Sequence, residues 1–229
     1  AFCHAAPLPN EELLAEELNH AMNHFEALGE RPHYAALTLT DVDRIVISSS
    51  WGELRYSDHE NGRFLDVDLR VGTPELDATH ALRGISALDD MDRPLIKVPF
   101  ENTPDTALRI AISQELERQF NKGRERLALL KAERAVKVQE EDVSADFSDV
   151  PAVVNRTATD TANLNIAHWE QTLKTLASAL RDDPLIHDAV WKYTLTRENK
   201  LFVDTKGSRI AHSTTRGRLS LSVTTTLED

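Results

Sequence analysis

The sequence predicts an α+β fold made of two pseudo-repeated units, each a helix followed by an antiparallel meander, with a long helix joining them. Three observations predict it. Leu37-Thr38-Leu39-Thr40 has a counterpart in Tyr193-Thr194-Leu195-Thr196. Each is followed by a short charged turn, Asp41-Val42-Asp43-Arg44 or Arg197-Glu198-Asn199-Lys200, and then an apolar run, Ile45-Val46-Ile47 or Leu201-Phe202-Val203. Each unit then carries a turn glycine, Gly52 or Gly207, and a strand with two-residue alternation, Leu65/Val67/Leu69/Val71 or Leu219/Leu221/Val223. An amphipathic helix precedes both.

The first helix is expected over residues 11–28. Asn10 is placed to cap it, Glu11 and Glu12 suit the positive end of its dipole, and Leu14, Leu18, Met22 and Phe25 form its apolar stripe. Gly29 and Pro32 end it. Three or four short strands follow, at about 34–40, 44–49, 53–57 and 63–71, the last with Asp66, Asp68 and Arg70 on its wet face. Residues 72–102 are irregular. Thr103-Pro104-Asp105 opens a long helix reaching about residue 136, with Leu108, Ile112, Leu116, Phe120, Leu127 and Leu130 inward and Gly123 a weak point. Residues 137–164 read as an acidic, extended connector ordered in part against the body. Asn165 caps a further helix through residue 180, with Ile166, Trp169, Leu173, Leu176 and Leu180 as its stripe. The second meander occupies about 189–226. The two meanders form either two sheets or one continuous sheet; two small curved antiparallel sheets, each under its own helix with the long helix between them, are the favoured arrangement.

The bulk numbers narrow the function. With 229 residues, 41% hydrophobic and 28% charged, the chain can bury a substantial core and reads as soluble. A formal net charge of −12 gives no cationic field for phosphates, so neither nucleic acid nor an anionic membrane is an expected partner. The single cysteine, Cys3, excludes an intrachain disulfide and a multi-cysteine zinc site. No apolar run reaches the roughly 18–20 residues that span a bilayer. The Met-less start Ala1-Phe2-Cys3-His4-Ala5-Ala6-Pro7 fits Met removal, a cut boundary or the remnant of an export signal, and leaves the compartment open. Strand character continues to Thr226, so the natural protein is expected to extend further.

Several constellations invite a chemical reading. His20 and His24 lie four apart on the first helix, one turn after Glu16, a spacing that could bring two imidazoles and a carboxylate to one metal. They face away from Leu18 and Phe25, so solvated polar residues are the plainer explanation. Asp66 and Asp68, or the cluster Asp89, Asp90 and Asp92, could hold a hard cation or do acid–base work. A wet strand face and a solvated turn are the simpler explanations. Trp51, Trp169 and Trp191 read as packing residues, and Lys122, Arg124 and Arg126, offset by Glu125, as a solvated helix face. The sequence contains no Gly-x-Ser-x-Gly elbow, no phosphate-binding glycine loop and no His-Glu-x-x-His or His-Glu-x-x-x-His motif. No catalytic residue is assigned.

From Leu65 to His80 the chain reads Leu-Asp-Val-Asp-Leu-Arg-Val-Gly-Thr-Pro-Glu-Leu-Asp-Ala-Thr-His. This is similar to the DVxxRVGxxxLDxTH segment of the TldD/PmbA family, whose members are described as metallopeptidases and as modulators of DNA gyrase. Val98-Pro99-Phe100 before Pro104-Asp105-Thr106-Ala107-Leu108-Arg109 resembles the segment that opens the family's long helix, and Phe202-Val203-Asp204-Thr205-Lys206-Gly207-Ser208 resembles its FVNSEGT turn. The resemblance runs in the same order from about Asn10 to the end. It implies that residues 1–229 are a single N-terminal family domain: repeat one 10–71, connection and long helix 72–136, acidic connector 137–164 and repeat two 165–226.

In the family's catalytic branch, zinc is held by a His-Glu-x-x-x-His helix after this domain and by a later cysteine, so no zinc ligand transfers to a residue here and zinc belongs to a region outside the chain. Other branches lack the motif. The resemblance implies a cytoplasmic protein whose homo- or heterodimers enclose a chamber where peptides or unfolded segments are cut. This chain is then a non-catalytic scaffold that guides peptide and forms dimer contacts. Two rivals stand beside it: a stand-alone protein or peptide interaction module without peptidase activity, and a small metal-dependent enzyme using His20, His24 and nearby acids. An open sheet edge gives the first two a physical basis, because its free backbone groups pair with extended peptide whatever its side chains.

Overall fold

A computed structural model describes residues 10–81, 95–100, 104–136, 144–157 and 165–225. Cys3, the Asp89/Asp90/Asp92 cluster and the Thr103 cap lie outside the described residues. The architecture is α+β, with one mostly antiparallel sheet and helices packed on it.

Helix α1 (Glu11–Ala27) forms where the apolar stripe predicts it, and Leu14, Leu18, Met22 and Phe25 are all buried. Asn10 does not cap it with its side chain. The residue adopts a left-handed φ of 70° and offers only its carbonyl, which accepts from the Leu14 N–H at 2.9 Å. The adjacent Glu11 turns inward and is held by Arg156 at 2.5 and 2.8 Å.

Three or four short strands were expected next. Instead two long ones, β1 (Tyr34–Ser50) and β2 (Glu53–Arg70), form a hairpin about Trp51-Gly52, both at positive φ. The charged segments at 41–44 and 197–200 are not turns: both lie in extended backbone, and Asp43 finds cross-strand partners. Asp43 accepts from Arg197 at 2.7 Å and from His59 at 2.5 Å, so the polar residues stay in extended backbone. The miniature strands β3 (Gly72–Thr73) and β4 (Leu76–Asp77) follow, then β5 (Ile96–Val98), helix α2 (Thr106–Val136), β6 (Val154–Arg156), helix α3 (Ile166–Ser178), and the long strands β7 (Ile186–Asp204) and β8 (Arg209–Thr225). The order helix, long strand, long strand thus occurs twice. Of the two arrangements, the continuous sheet is the one that forms, not the favoured pair: the order is β5-β2-β1-β7-β8-β6, with β3 and β4 paired separately. Pairing β1 with β7 leaves neither strand a bare edge. β2 meets β5 antiparallel, and β8 meets β6 in parallel over Arg209–Ala211.

The chain divides into two compact units. One holds residues 1–40, 63–157 and 200–211; the other holds 41–62, 158–199 and 212–229.

The first unit has the larger core. The stripe of α1 meets Leu108, Ile112, Leu116, Phe120 and Leu127 of α2 and the inward residues Leu65, Val67, Leu69 and Val71. Phe25 and Phe120 stack with centroids 4.0 Å apart. Gly123, expected as a weak point of α2, is a contact: a Cβ there would lie 2.8 Å from Val71 Cγ2, so the missing side chain lets helix and strand approach closely. In the second unit, Asn165 Oδ1 accepts from the His168 N–H and caps α3, which buries Leu173 against Ile45, Ile47, Tyr193 and Leu195. Trp169 stacks on Tyr193 at 3.8 Å. The alternation at Leu219, Leu221 and Val223 does not continue this core. These side chains are 46, 42 and 42% exposed, because α3 is short and its apolar cluster extends only to the middle of β7.

Candidate functional site

Two of the three segments that carry the family resemblance, 65–80 and 202–208, fold into one polar clasp in the first unit. β2 ends at Arg70. The chain passes through Gly72 at φ 123°, where a Cβ would meet the Leu76 carbonyl oxygen at 2.5 Å, and doubles back as β3–β4. This reversal brings Asp77 under Arg70. Asp77 is fully buried, and both its carboxylate oxygens are occupied. Oδ1 accepts from the Thr79 N–H at 2.7 Å and the Thr79 hydroxyl at 2.6 Å. Oδ2 accepts from His33 Nε2 at 3.2 Å and from the Arg70 guanidinium at 3.3 Å. Burial works to raise the Asp77 pKa, but the Thr79, Arg70 and His33 contacts outweigh it and hold the carboxyl below the usual range.

The connector completes the clasp. Asp146 accepts from the Asp77 N–H at 2.9 Å and from His80 Nδ1 at 2.6 Å, and its carbonyl oxygen takes an Arg70 N–H at 3.4 Å. Phe147 lies under the Arg70 guanidinium at 5.2 Å and packs against the rings of His33 and Tyr34. The second family-like segment arrives from the other side. In the turn after β7, Asp204 Oδ1 accepts from the Lys206 and Ser208 N–H groups at 2.9 and 2.8 Å, and Thr205 exchanges two hydrogen bonds with Ala35. Burial, then the nearby Asp204 and Asp68 carboxylates, push the Tyr34 phenol up to about 12. Segments distant in sequence, 33–35, 70–80, 144–149 and 204–208, therefore close on each other.

Chemically this is a clasp rather than a reaction centre. Four donors fill the four lone-pair positions of Asp77, leaving none to take a substrate proton. The residues considered for chemistry are placed elsewhere. His20 and His24 are exposed on α1, and Glu16 is drawn to Arg109 at 2.9 Å. Asp66 and Asp68 are half-buried on the wet face of β2, with Asp68 3.4 Å from Arg70 Nε. Among the described residues no group of three or more His, Cys, Asp or Glu converges as a metal site. The expected solvated face at Lys122, Arg124 and Arg126 is partly structural: Arg124 pairs with Glu30 at 2.7 Å, and Arg126 donates to the His80 carbonyl at 2.8 Å. Sequence reading missed Asp146 and Phe147. Their one signal is an aromatic amid acidic and small residues in an otherwise bland connector.

No family profile matches the sequence, and no curated protein matches it significantly. The structure does have relatives. A protein described as a modulator of DNA gyrase from Bacteroides thetaiotaomicron superposes with a TM-score of 0.50 at 16% identity, over 94% of this chain and 42% of its own. The chain has the fold of that protein. A second protein so described, from Thermotoga maritima, gives a TM-score of 0.45 at 10% identity over 90% of this chain and 38% of its own. TldE from Thermococcus kodakarensis gives 0.45 at 9% over 90% and 42%. These neighbours belong to the TldD/PmbA family, and the present chain spans about two-fifths of their length. No helix among the described residues is long and apolar enough to cross a membrane.

Proposed function

We propose that this chain is the N-terminal, non-catalytic domain of a TldD/PmbA-like protein and that it guides extended peptide along a sheet edge while forming a dimer with another family member. The observation that carries the reading is the outer side of β8. The strand runs from Arg209 to Thr225, yet β6 pairs with it only over Arg209–Ala211, so the rest of that side has no strand neighbour among the described residues. Backbone groups on such an edge bind an extended chain through main-chain hydrogen bonds. The fold shared with a longer protein supports a supporting role within a larger whole, and the saturated clasp supports a rigid frame. Any bond-breaking chemistry of the whole protein is assigned outside these residues.

Titration with an unstructured neutral peptide, followed by backbone amide shifts, tests the edge. Perturbations confined to residues 212–225 are expected. Uniformly unshifted β8 amides at millimolar peptide would reject the peptide-guiding role. Sedimentation of the chain tests the dimer, and a monomer throughout the micromolar range would reject that part.

A further inference from the structure

β7 and β8 of the second unit present two different faces. Side chains alternate along each strand, so odd and even residues point oppositely. The odd residues Tyr193 and Leu195 lie under α3, and Gly217 of β8 sits beside the Tyr193 hydroxyl. The even residues open into a groove of about 640 Å³ on the other face. Four cations line it: Lys192 of β7, Arg216 and Arg218 of β8, and Arg44 of β1. Hydroxyls such as that of Thr194 lie between them, and Glu198 is its one acid. None of the four cations has an ion-pair or side-chain hydrogen-bond partner among the described residues, whereas Glu198 is engaged. This is unusual in a chain of net charge −12, where acids outnumber bases. Elsewhere in the second unit, Arg197 is held by Asp43 and Arg181 by the Trp51 carbonyl.

We propose that this groove binds a carboxylate-rich, extended peptide segment. The inference deepens the peptide-guiding reading, on which it rests, by naming the class of peptide. Arg216 and Arg218, two residues apart on one face of β8, are spaced by roughly 6–7 Å. Alternate side chains of an extended ligand have the same spacing, so two acidic residues at alternate positions would each meet one of them, with Lys192 and Arg44 on neighbouring strands adding to the same positive face. The hydroxyls supply neutral donors, and Glu198 repels a carboxylate placed at its end of the groove, which sets a direction. Nucleic acid fits less well. No aromatic side chain lines the groove to stack a base, and the acidic remainder of the chain repels a long run of phosphates.

The test compares short fluorescent peptides that alternate Ser with Glu, Gln or Lys, and a single-stranded oligothymidylate, on the 229-residue chain. The Glu peptide is expected to bind best, to weaken as salt rises, and to weaken roughly tenfold in Arg216→Gln/Arg218→Gln. Arg44→Gln, on a different strand, is expected to weaken it in the same direction, which guards against local damage to β8; circular dichroism checks folding. Glu-peptide affinity unchanged in both variants would overturn the proposal, as would Gln and Glu peptides binding equally. Oligothymidylate binding more tightly than the Glu peptide, with the same dependence on Arg216 and Arg218, would replace peptide by nucleic acid as the ligand. The two readings separate cleanly. Equal neutral and acidic binding at the β8 amides keeps the edge and rejects the groove, while binding of the Glu peptide alone keeps the groove and rejects the edge.

Discussion

The two units of this chain spend their polar residues differently. In the first, Asp77, Arg70, His33, Asp146 and His80 pair with one another, and Glu11 closes on Arg156. In the second, a small core covers one face of the sheet and the other face keeps four cations without described partners. The contrast shows how a structural polar group can be told from one available for a ligand. A buried group whose lone pairs are all filled holds the fold. A set of like charges gathered without partners costs stability and persists where something else recruits it.

The sharpest way to break this contrast is at Asp77. Asp77→Ala strips the acceptor from Arg70, His33 and Thr79 at once and is expected to destabilise the chain by about 3–5 kcal/mol, read by urea or thermal melting. Acid tests the same group in the wild type. The folded pKa of Asp77 lies below its unfolded value, so its contribution is fully present above roughly pH 4. That contribution is lost as pH falls through the folded value. Melting points of wild type and Asp77→Asn should therefore converge below that pH. A constant gap would show that the clasp is not sustained by the carboxylate. Tyr34 gives the opposite sign. Its raised pKa, about 12, makes its contribution complete below the unfolded value near 10. The contribution is lost as pH climbs toward 12, and Tyr34→Phe should remove that alkaline slope.

Packing gives the next largest effects, and it compares the units directly. Gly123→Ala would ordinarily stabilise a helix by up to about 1 kcal/mol. Here the new Cβ meets Val71, which is fully buried and too short to swing away, so a net loss of about 1–3 kcal/mol is expected by chemical denaturation. A stabilised variant would mean that α2 and β2 are less closely packed than described. In the second unit, Trp169→Ala removes the stack on Tyr193 from a partly exposed position and should cost about 1–3 kcal/mol, monitored by loss of near-UV dichroism.

The sequence made the local elements legible and the pairings between them much less so. The stripes of α1 and α2 are buried as their spacing predicts, because helical periodicity is set by a residue and its neighbours three and four away. The stretch at 41–44 misled because a charged run reads as a turn until its partners are known, and Arg197 lies far along the chain. Leu219, Leu221 and Val223 misled in the other direction: alternation marks a face but says nothing of what covers it. Gly72 and Asp77 were visible as a motif, yet their role as a clasp needed Asp146, whose connector has no periodicity to flag it. The groove was half written in Arg216 and Arg218, two basic residues on one strand face. Lys192 and Arg44 join them only through strand pairing.

The smallest expected effect is the one that separates the units most clearly. Arg218→Gln removes an exposed cation with no described partner and with Arg216 two residues away on the same face. A supporting residue lost from the clasp leaves a buried group unsatisfied. This residue leaves nothing unsatisfied and relieves repulsion between like charges, so the melting point should stay within about 0.5 kcal/mol of wild type or rise slightly. Affinity for the acidic peptide should fall in the same variant. A drop in stability above roughly 1 kcal/mol would place Arg218 among the structural residues and erase the distinction between the two units. An unchanged fold with weakened binding is what a face reserved for a ligand requires.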